Sequence, residues 1–524
     1  MISLTFYGGT GEIGGNKVLL EEGGHRLFFD FGLSFARRYR YFEEYLKPRS
    51  SAGLLDLLEL ELLPPLPDIY RQDLASSNLW SRFESSPLYK RFSVDGVLLS
   101  HAHLDHSGYI SFLQANIPIH TTAMTAFIAK AIQDSGSSDF EKEVCYSIPK
   151  EQKGQALQST HYRTGSAQQR PFRVFNHHSL TPKALAFWED IPGGRGLAKC
   201  PLEAANAIGP LSLKHFPVDH SIPGATALAV ETSSGWVVYT GDLRLHGGKG
   251  YLTEDFIQSA AELNPAILIC EGTNVVDKGF ETTEEEVYTR ALRGVKEAGA
   301  LVIADFGPRN IERLLTFHRI AEETGRCLVV LAKDAYLLRA MQNIDQEMPD
   351  LASDPVIRIY DEARAQRTEL EKGLRTEYRT KLVEPEEIHS HQELYILCLS
   401  FFDINKLPTL RPRPGSLYLY STSEPHDEEQ EMDSWRLWNW IKHFEMTGLG
   451  LPVEEFNWEI PEEERGLHAS GHASGPELLS LIQSIAPRTL VPVHTQNPGY
   501  FAQHLSHTDI EVCLPEYGQE LRFA

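Results

Sequence analysis

The chain carries at residues 101–106 the stretch His101-Ala102-His103-Leu104-Asp105-His106, in which four of the six side chains can bind a metal ion. The apolar run 94–100 precedes it and predicts a strand, and segment 107–113, which can begin a helix, follows. The four donors are therefore expected on a strand-to-helix loop, where side chains converge on one point. Imidazole combined with carboxylate suits zinc or a similar divalent ion. A polar surface loop is the alternative, and so dense a set of donors disfavours it.

Three further candidate ligands stand at the ends of strand-like segments far along the chain: His220, Asp242 and His494. Each one alone would be an ordinary polar residue at a strand end. Taken with the first cluster, they indicate a site for two metal ions. His101 and His103, two positions apart, are expected to grip one ion, while Asp105 and His106 reach the other.

In their order along the chain, these ligands resemble the metal-binding motifs of the metallo-β-lactamase superfamily, and specifically of its β-CASP branch of nucleic-acid-cutting enzymes. Segment 466–479, followed by 492–494, is similar to the C-terminal motifs of the ribonuclease J family. The resemblance implies two divalent ions, with zinc expected and manganese or magnesium as alternatives. It implies one ion on His101, His103 and His220, the other on Asp105, His106 and His494, and Asp242 between them.

The same resemblance assigns roles to residues beyond the ligands. His472 matches a motif histidine that would donate a proton to the leaving group, and Glu271 matches a motif acid that would orient it. Asp105 is counted with them as a catalytic residue. Asp30, at the end of an early strand, would fix a histidine ligand from behind.

Contacts to substrate phosphate are expected from two loops. His468, Ser470 and Ser474 lie in a loop of small residues that can hydrogen-bond a phosphate, although a tight structural turn is an equal alternative. Arg309 lies in a segment that resembles the loop which β-CASP proteins place over the active site. A plain surface arginine is the alternative there.

The N-terminal stretch Gly9-Thr10-Gly11-Glu12-Ile13-Gly14 matches the dinucleotide-binding pattern GxGxxG, but its context does not. That pattern must open a helix, whereas segment 17–21 and Gly23-Gly24 predict a strand and a hairpin turn. We therefore predict a tight loop near the metal site.

Composition describes a globular enzyme, with 42% hydrophobic and 23% charged residues. No apolar run reaches membrane-spanning length, and the N-terminus predicts a strand and not a signal peptide. The six cysteines are scattered without zinc-site spacing, as expected for free thiols in a reducing cytoplasm.

The net charge of −23 opposes a nucleic-acid partner at long range. Two divalent ions would supply positive charge where the scissile phosphate lies. The basic-aromatic stretch 37–41 and the arginines in 411–414 are candidates for backbone contacts, although such runs more often only cover a surface.

The order of the motifs predicts an inserted domain, because the chain supplies ligands up to residue 242 and again at 494. We expect an α/β fold: an αββα metallo-β-lactamase sandwich from residues 1–275 and 459–524, with a β-CASP domain of parallel strands flanked by helices inserted at 276–458. Segment 34–92 is a further insert, with a helix predicted over 54–63 that caps the core or mediates dimerisation.

The predicted function is a two-metal ribonuclease that hydrolyses single-stranded RNA, as a 5′ exonuclease, an endonuclease or both. The alternatives are a DNA nuclease of the same branch, a non-catalytic nucleic-acid-binding homologue, and a hydrolase of small esters. Ribonuclease J carries a further domain after the last ligand, whereas only 30 residues follow His494. A homodimer and the exonuclease mode are therefore open at this point.

Overall fold

The computed structural model describes residues 1–43, 46–136, 139–154, 156–161, 163, 165–275, 282–307, 309–422 and 428–523. The predicted boundary between the first part of the sandwich and the insert borders residues 276–281, which lie outside the described residues.

Two large sheets form the body that carries the metal-binding motifs. The first has eight strands, in the spatial order Glu203–Ala204, Phe172–Phe175, Ile119–Thr122, Gly96–Leu98, His25–Phe29, Val18–Glu22, Ile2–Phe6 and Glu520–Phe523. The second has seven, in the order Ala207–Ile208, Leu211–Pro217, Thr226–Thr232, Gly235–Tyr239, Ile267–Cys270, Thr489–Pro492 and Glu511–Val512.

The alternation of side chains along each strand divides the sandwich into layers. Leu228 and Val230 face the first sheet and share a buried cluster with residues such as Leu4 and Phe29. Ala229, which lies between them in the strand, faces the opposite side and belongs to a cluster with the helices Gly250–Leu263 and Gly475–Ile485. The first sheet is covered on its outer side by the helix Ala123–Ser135 and other elements. The predicted αββα sandwich is confirmed.

The chain leaves this sandwich after the strand Ile267–Cys270 and returns to pair beside it. Thr489–Pro492 runs parallel to Ile267–Cys270, with Cys270 opposite Pro492. The part of the chain between these two strands in sequence forms a seven-stranded sheet in which every pair of neighbouring strands is parallel. Its strands, in spatial order, are Leu382–Val383, Ile357–Tyr360, Cys327–Val330, Tyr395–Cys398, Val302–Asp305, Leu417–Tyr420 and Thr447–Leu449. This is the predicted inserted sheet.

Helices flank the inserted sheet because βα alternation carries the chain back across it after each strand. They are Glu284–Glu297, Ile311–Thr324, Ala332–Gln342, Glu369–Glu377, Pro385–Ser390, Leu407–Leu410 and Glu428–His443. Several begin at the capping residues expected from the sequence: Thr283 accepts a hydrogen bond from the amide of Glu286, and Asn310 from that of Arg313.

The helix predicted over 54–63 covers only Leu55–Glu59. Glu61 adopts a left-handed backbone, with a φ of 55°, which no helix continues, and Pro64-Pro65 follow. The apolar side chains of the segment, including Leu57 and Leu62, nevertheless pack into the core, so the segment covers the sandwich as one alternative predicted.

Smaller elements complete the fold: the helices Phe35–Arg38, Leu104–Ser107, Pro182–Trp188 and Gly499–His504, the three-stranded sheet of Leu197–Ala198, Ala167–Gln169 and Tyr146–Ser147, and the hairpin of Lys150–Lys153 with Ala156–Ser159. Within the described ranges, no helix has both the length and the apolar character that crossing a bilayer requires.

Candidate metal centre

All seven predicted ligands lie together at one edge of the sandwich, where strands of both sheets end. Their donor atoms form groups whose members lie within 4.8 Å of one another. The first group contains His101, His103 and His220, and the second contains Asp105, His106, Asp242 and His494. The predicted division of ligands between two ions follows the same grouping.

Three imidazole nitrogens face one another in the first group. His103 Nδ1 lies 3.1 Å from His101 Nε2 and 3.1 Å from His220 Nε2. In a tetrahedral zinc site, with Zn–N bonds of about 2.1 Å, ligand nitrogens lie about 3.4 Å apart. The 3.1 Å separations are also those of hydrogen bonds between ring nitrogens, and they lie close to the ligand spacing that a shared zinc ion requires.

Asp242 joins the two groups. Its Oδ2 lies 2.9 Å from His106 Nε2 and 3.7 Å from His494 Nε2, and it is 3.6 Å from His101 Nε2 in the first group. Asp105 Oδ2 completes the second group at 3.2 Å from His494 Nε2. A carboxylate within 4 Å of both groups is placed to contact two ions at once.

Two buried donors in the cluster have no hydrogen-bond partner in the described part of the chain: His106 Nε2 and Asp242 Oδ1. His106 Nε2 is close to Asp242 Oδ2 but without hydrogen-bond geometry. Burying a polar atom unsatisfied costs about 1–3 kcal/mol, so such atoms call for a partner. A divalent cation satisfies both, and the residues fit the group that the motifs imply.

The other nitrogen of each of four histidine ligands is held from outside the cluster. His106 Nδ1 lies 2.6 Å from Asp30 Oδ2, and His101 Nδ1 lies 3.0 Å from Ser100 Oγ. His220 Nδ1 donates to the carbonyl of Gly471 at 2.5 Å, and His494 Nδ1 lies 2.9 Å from Thr273 Oγ1. Such outer contacts fix the rings so that Nε2 points inward, as metal-ligating histidines require. Asp30 lies where we predicted it, whereas Ser100, Thr273 and the Gly471 carbonyl were not predicted.

The electrostatics of the cluster favour a bound cation. Burial lowers the pKa of His101 and His220 well below the ordinary value and that of His103 to about 4, so these imidazoles are neutral and able to ligate. Burial opposes ionisation of Asp242, but His106 and His494 hold its pKa well below the usual range. Burial likewise disfavours charge on His106, yet the carboxylates of Asp242, Asp105 and Asp30 raise its pKa well above the usual value.

Glu271 and His472 form a buried acid–imidazole pair beside the cluster. Glu271 Oε2 lies 2.9 Å from His472 Nδ1, and its other oxygen accepts from the amide of Leu243 at 2.8 Å. Burial alone would lower the pKa of His472, but the Glu271 carboxylate raises it to about 9. A protonated imidazole next to the metal ligands has the charge state that a general acid needs.

Two residues at this edge have a strained backbone. Asp30 and His494 have φ values of 55° and 53°, in the left-handed region that side chains other than glycine rarely adopt. The glycine-rich N-terminal loop packs against them: the amide of Gly15 donates to the carbonyl of Asp105 at 2.9 Å, and a Cβ on Gly14 would lie 2.7 Å from Asp105 Cβ. The predicted position of this loop near the metal site is confirmed.

A cavity of about 400 Å³ opens over the cluster and is lined from both the sandwich and the insert. Its lining residues are His103, His220, Ser221, Gly307, Arg309, Asn310, Thr422, Ala469, Gly471 and His472. Arg309 interacts electrostatically with Asp105 and His103, and its guanidinium makes no ion pair among the described residues. The insert thus places the Arg309 guanidinium, without an ion-pair partner among the described residues, at the opening of the cavity.

The loop candidates for phosphate contact are engaged in other ways. His468 is buried, and its two ring nitrogens lie 2.6 Å and 3.0 Å from the carbonyls of Thr422 and Gly450. Ser474 caps the helix Gly475–Ile485 in a capping box with Glu477. Ser470 Oγ accepts from Asn274 Nδ2 at 2.6 Å and from the amide of His472 at 3.1 Å. This geometry favours the structural turn that the sequence left open, with Arg309 as the remaining candidate for phosphate contact.

Comparison with known proteins agrees with the fold and with a metal-dependent hydrolase. Residues 464–515 match the family model RMMBL, described as a Zn-dependent metallo-hydrolase RNA specificity domain. Ribonuclease J of Mycolicibacterium smegmatis is 23% identical over 94% of the chain and 68% of its own length, and that of Helicobacter pylori is 20% identical over 98% and 59%. Ribonuclease J of Mycoplasma pneumoniae is 26% identical over 54% of the chain, and the match spans only 46% of that relative.

A solved structure has the same overall architecture. The crystal structure of a protein of unknown function from Enterococcus faecalis V583 superposes with a TM-score of 0.63 at 21% identity and covers 99% of both chains. The fold and the site define a metallo-β-lactamase protein with an inserted β-CASP domain. Within that class, the chain is similar to the relatives named ribonuclease J, at 20–26% identity.

Proposed function

We propose that this protein is a two-metal ribonuclease that hydrolyses phosphodiester bonds of single-stranded RNA. The observation that carries the proposal is the juxtaposition of two groups of metal donors, bridged by Asp242, with the Glu271–His472 pair. The family description of residues 464–515 and the relatives named ribonuclease J support RNA as the polymer.

His101, His103 and His220 would hold one ion, Asp105, His106 and His494 would hold a second, and Asp242 would contact both. Zinc suits these donors best, and manganese and magnesium are the alternatives. When bound, such ions would supply positive charge at the scissile phosphate and lower the pKa of attacking water.

The chain's own residues supply the rest of the chemistry. His472, protonated through its contact with Glu271, gives a proton to the departing oxygen, and Glu271 holds the ring by Nδ1 so that Nε2 faces the cavity. Arg309 binds a phosphate oxygen next to the scissile bond and positions the strand. Asp30 keeps His106 oriented toward its ion.

The net charge of −23 repels a nucleic acid at long range, so binding of the polymer depends on positive charge at the site itself. Arg309 and two divalent ions concentrate positive charge at one cavity in an otherwise acidic protein. A polymer that docks there is held by the site itself and not by the general surface. We place this activity in the cytoplasm, where the six unpaired cysteines would stay reduced.

Cleavage of end-labelled oligonucleotides tests the proposal. Purified protein loaded with zinc or manganese is incubated with single-stranded RNA and DNA of the same sequence, carrying a 5′-monophosphate or a 5′-triphosphate. RNA cleavage that disappears in His101→Ala and falls by a factor of about 10²–10⁴ in His472→Ala supports it. Release of mononucleotides from 5′-monophosphorylated RNA indicates exonuclease action, and internal fragments indicate endonuclease action.

Two outcomes would overturn this assignment. Metal-loaded protein that cleaves neither polymer is not a nuclease, and protein that cleaves DNA in preference to RNA belongs to the alternative class. The control Asp95→Asn removes an exposed carboxylate at the opposite end of the strand Gly96–Leu98 from His101, and it is expected to leave cleavage unchanged.

A further inference from the structure

Two buried arginines hold the loop that carries His472, one from the sandwich and one from the insert. Arg244 follows the ligand Asp242 by two positions, and its Nη1 donates to the carbonyl of Ser470 at 3.1 Å. Arg313 is in the first turn of the insert helix Ile311–Thr324, and its Nη1 donates to the carbonyl of Leu467 at 3.2 Å. The loop is thus fixed by its backbone from two directions.

Glu284 connects these arginines. Its Oε1 accepts from Arg244 Nη1 at 3.2 Å and from Arg313 Nη2 at 3.1 Å, while Oε2 accepts from Arg313 Nε at 3.2 Å. Both arginines are fully buried and Glu284 is 6% exposed. Burial works against ionisation of Glu284, but Arg313 and Arg244 lower its pKa, so the carboxylate stays charged between them.

Buried ion groups of this kind are weak evidence for stability, because desolvation offsets much of the attraction between the charges. They do fix geometry, since each arginine has only the orientations that satisfy all its partners. Here the partners include loop carbonyls on the N-terminal side of His472. On its C-terminal side, the amide of Ala473 donates to the carbonyl of Leu243, the residue next to Arg244.

We infer that Glu284 is a positioning residue for His472, acting through Arg244 and Arg313 on the backbone of residues 467–470. This inference rests on the proposed function, in which His472 protonates the leaving group. Glu284 begins the first helix of the insert, so the insert supplies both Arg309 at the cavity and the acid that aligns the proton donor. Cleavage is thereby tied to correct docking of the insert on the sandwich.

The leaving group of the substrate separates this role from a general loss of structure. An RNA linkage releases a sugar alkoxide, which needs a proton, whereas the p-nitrophenyl ester of thymidine 5′-monophosphate releases nitrophenolate, which does not. Glu284→Gln is expected to lower kcat on RNA by about 10- to 100-fold and kcat on the ester by about 3-fold or less. In a His472→Ala background, it is expected to cause no further loss on RNA.

Matched controls accompany this measurement. Glu143→Gln deletes another buried glutamate, paired with Arg71 at 2.5 Å and remote from the loop, and should affect both substrates equally. Arg313→Lys keeps the charge but loses the second arm of the guanidinium, and it gives a second variant if Glu284→Gln does not fold. Metal content is measured for each variant and is expected to match that of the wild type.

Amide hydrogen exchange tests, independently of catalytic activity, whether Glu284 holds the backbone of residues 467–470 through Arg244 and Arg313. Peptides that cover residues 467–473 are expected to exchange faster in Glu284→Gln, and those that cover the strand Ile267–Cys270 to be unchanged. Equal losses on the two substrates, additive loss with His472→Ala, or unchanged exchange in 467–473 would each overturn the inference. If the wild type cleaves neither substrate, the proposed function fails. The exchange result alone still decides whether Glu284 holds the loop 467–473 in place.

Discussion

Asp30 Oδ2 lies 2.6 Å from His106 Nδ1, and both side chains are completely buried. The same carboxylate accepts from the amide of Ser100 at 2.7 Å and from the hydroxyl of Tyr239 at 2.7 Å. Asp30 therefore links both sheets of the sandwich to one metal ligand. Its left-handed backbone, which costs free energy, is held by these contacts.

Replacing Asp30 with asparagine is expected to weaken zinc binding by about 10- to 100-fold, because the ligand His106 loses the charged partner that fixes its ring and raises its basicity. Competition with a chromogenic chelator measures the affinity. Asp95→Asn, which changes an exposed carboxylate just before the strand Gly96–Leu98, serves as the control. Equal affinities of wild type and Asp30→Asn would contradict the role.

The two ligand groups predict different metal contents for different substitutions. His103→Ala is expected to lose one ion per chain and Asp105→Ala the other, whereas Asp242→Ala weakens both because its carboxylate lies within 4 Å of both groups. Elemental analysis after dialysis gives the stoichiometry. A wild type that binds a single ion, or single substitutions that each abolish all binding, would rule out two independent groups.

The cluster of candidate metal ligands was predictable because their chemistry is rare. Imidazole and carboxylate groups at strand ends stand out from an apolar sequence, and strand ends of one sandwich meet at one edge. His101, His220 and His494 were found in this way, although 393 positions separate the first from the last in the numbering. The inserted parallel sheet was likewise predictable from its βα alternation.

Apart from Asp30, the groups that hold the ligands in place were not predictable. Ser100 and Thr273 are common residue types, and the partners of Thr273 include His494, which is 221 residues away. Glu284 looks like any acidic residue in the first turn of a helix, and its role depends on arginines from two separate parts of the chain. The order of strands in the inserted sheet depends on packing in three dimensions, which periodicity along the sequence does not encode.

Arg309→Gln is expected to raise the KM for RNA by about 10-fold with kcat changed by about 3-fold or less, because the guanidinium binds a phosphate that is present in both ground and transition states. Steady-state kinetics on a labelled oligonucleotide measure the two parameters. Arg319→Gln removes an exposed arginine from the adjacent helix and is expected to change neither. A fall in kcat at constant KM would instead give Arg309 a role in the chemical step.

Asp305 ends the insert strand Val302–Asp305, next to the loop of Arg309. The side chain is 2% exposed, and its Oδ2 accepts from the Tyr418 hydroxyl at 2.6 Å. Burial raises its pKa to about 7, with Tyr418 acting in the opposite direction. The unfolded chain should titrate near the ordinary value of about 3.9, so the folded protein binds this proton more tightly between about pH 4 and pH 7.

The stabilising contribution of protonated Asp305 is complete below about pH 4 and is lost as pH rises through about 7. Asp305→Asn stays neutral at every pH, so the free energy of unfolding of the variant relative to the wild type should increase from pH 5 to pH 8. About two of the three pKa units fall between pH 5 and pH 8, so this increase is at most about 2.6 kcal/mol. Asp334, whose pKa burial also raises to about 7, titrates in both proteins and cancels in the difference.

Urea denaturation at a series of pH values measures that difference. Asp350→Asn, which removes a carboxyl whose pKa is lowered by its hydrogen bond from Ser353, is the control and should give a constant offset between pH 5 and pH 8. Parallel stability curves for wild type and Asp305→Asn would mean that Asp305 is ionised throughout this range. The strand end would then carry a buried charge beside Tyr418, and ionisation of Asp305 would not change the stability of the insert between pH 5 and pH 8.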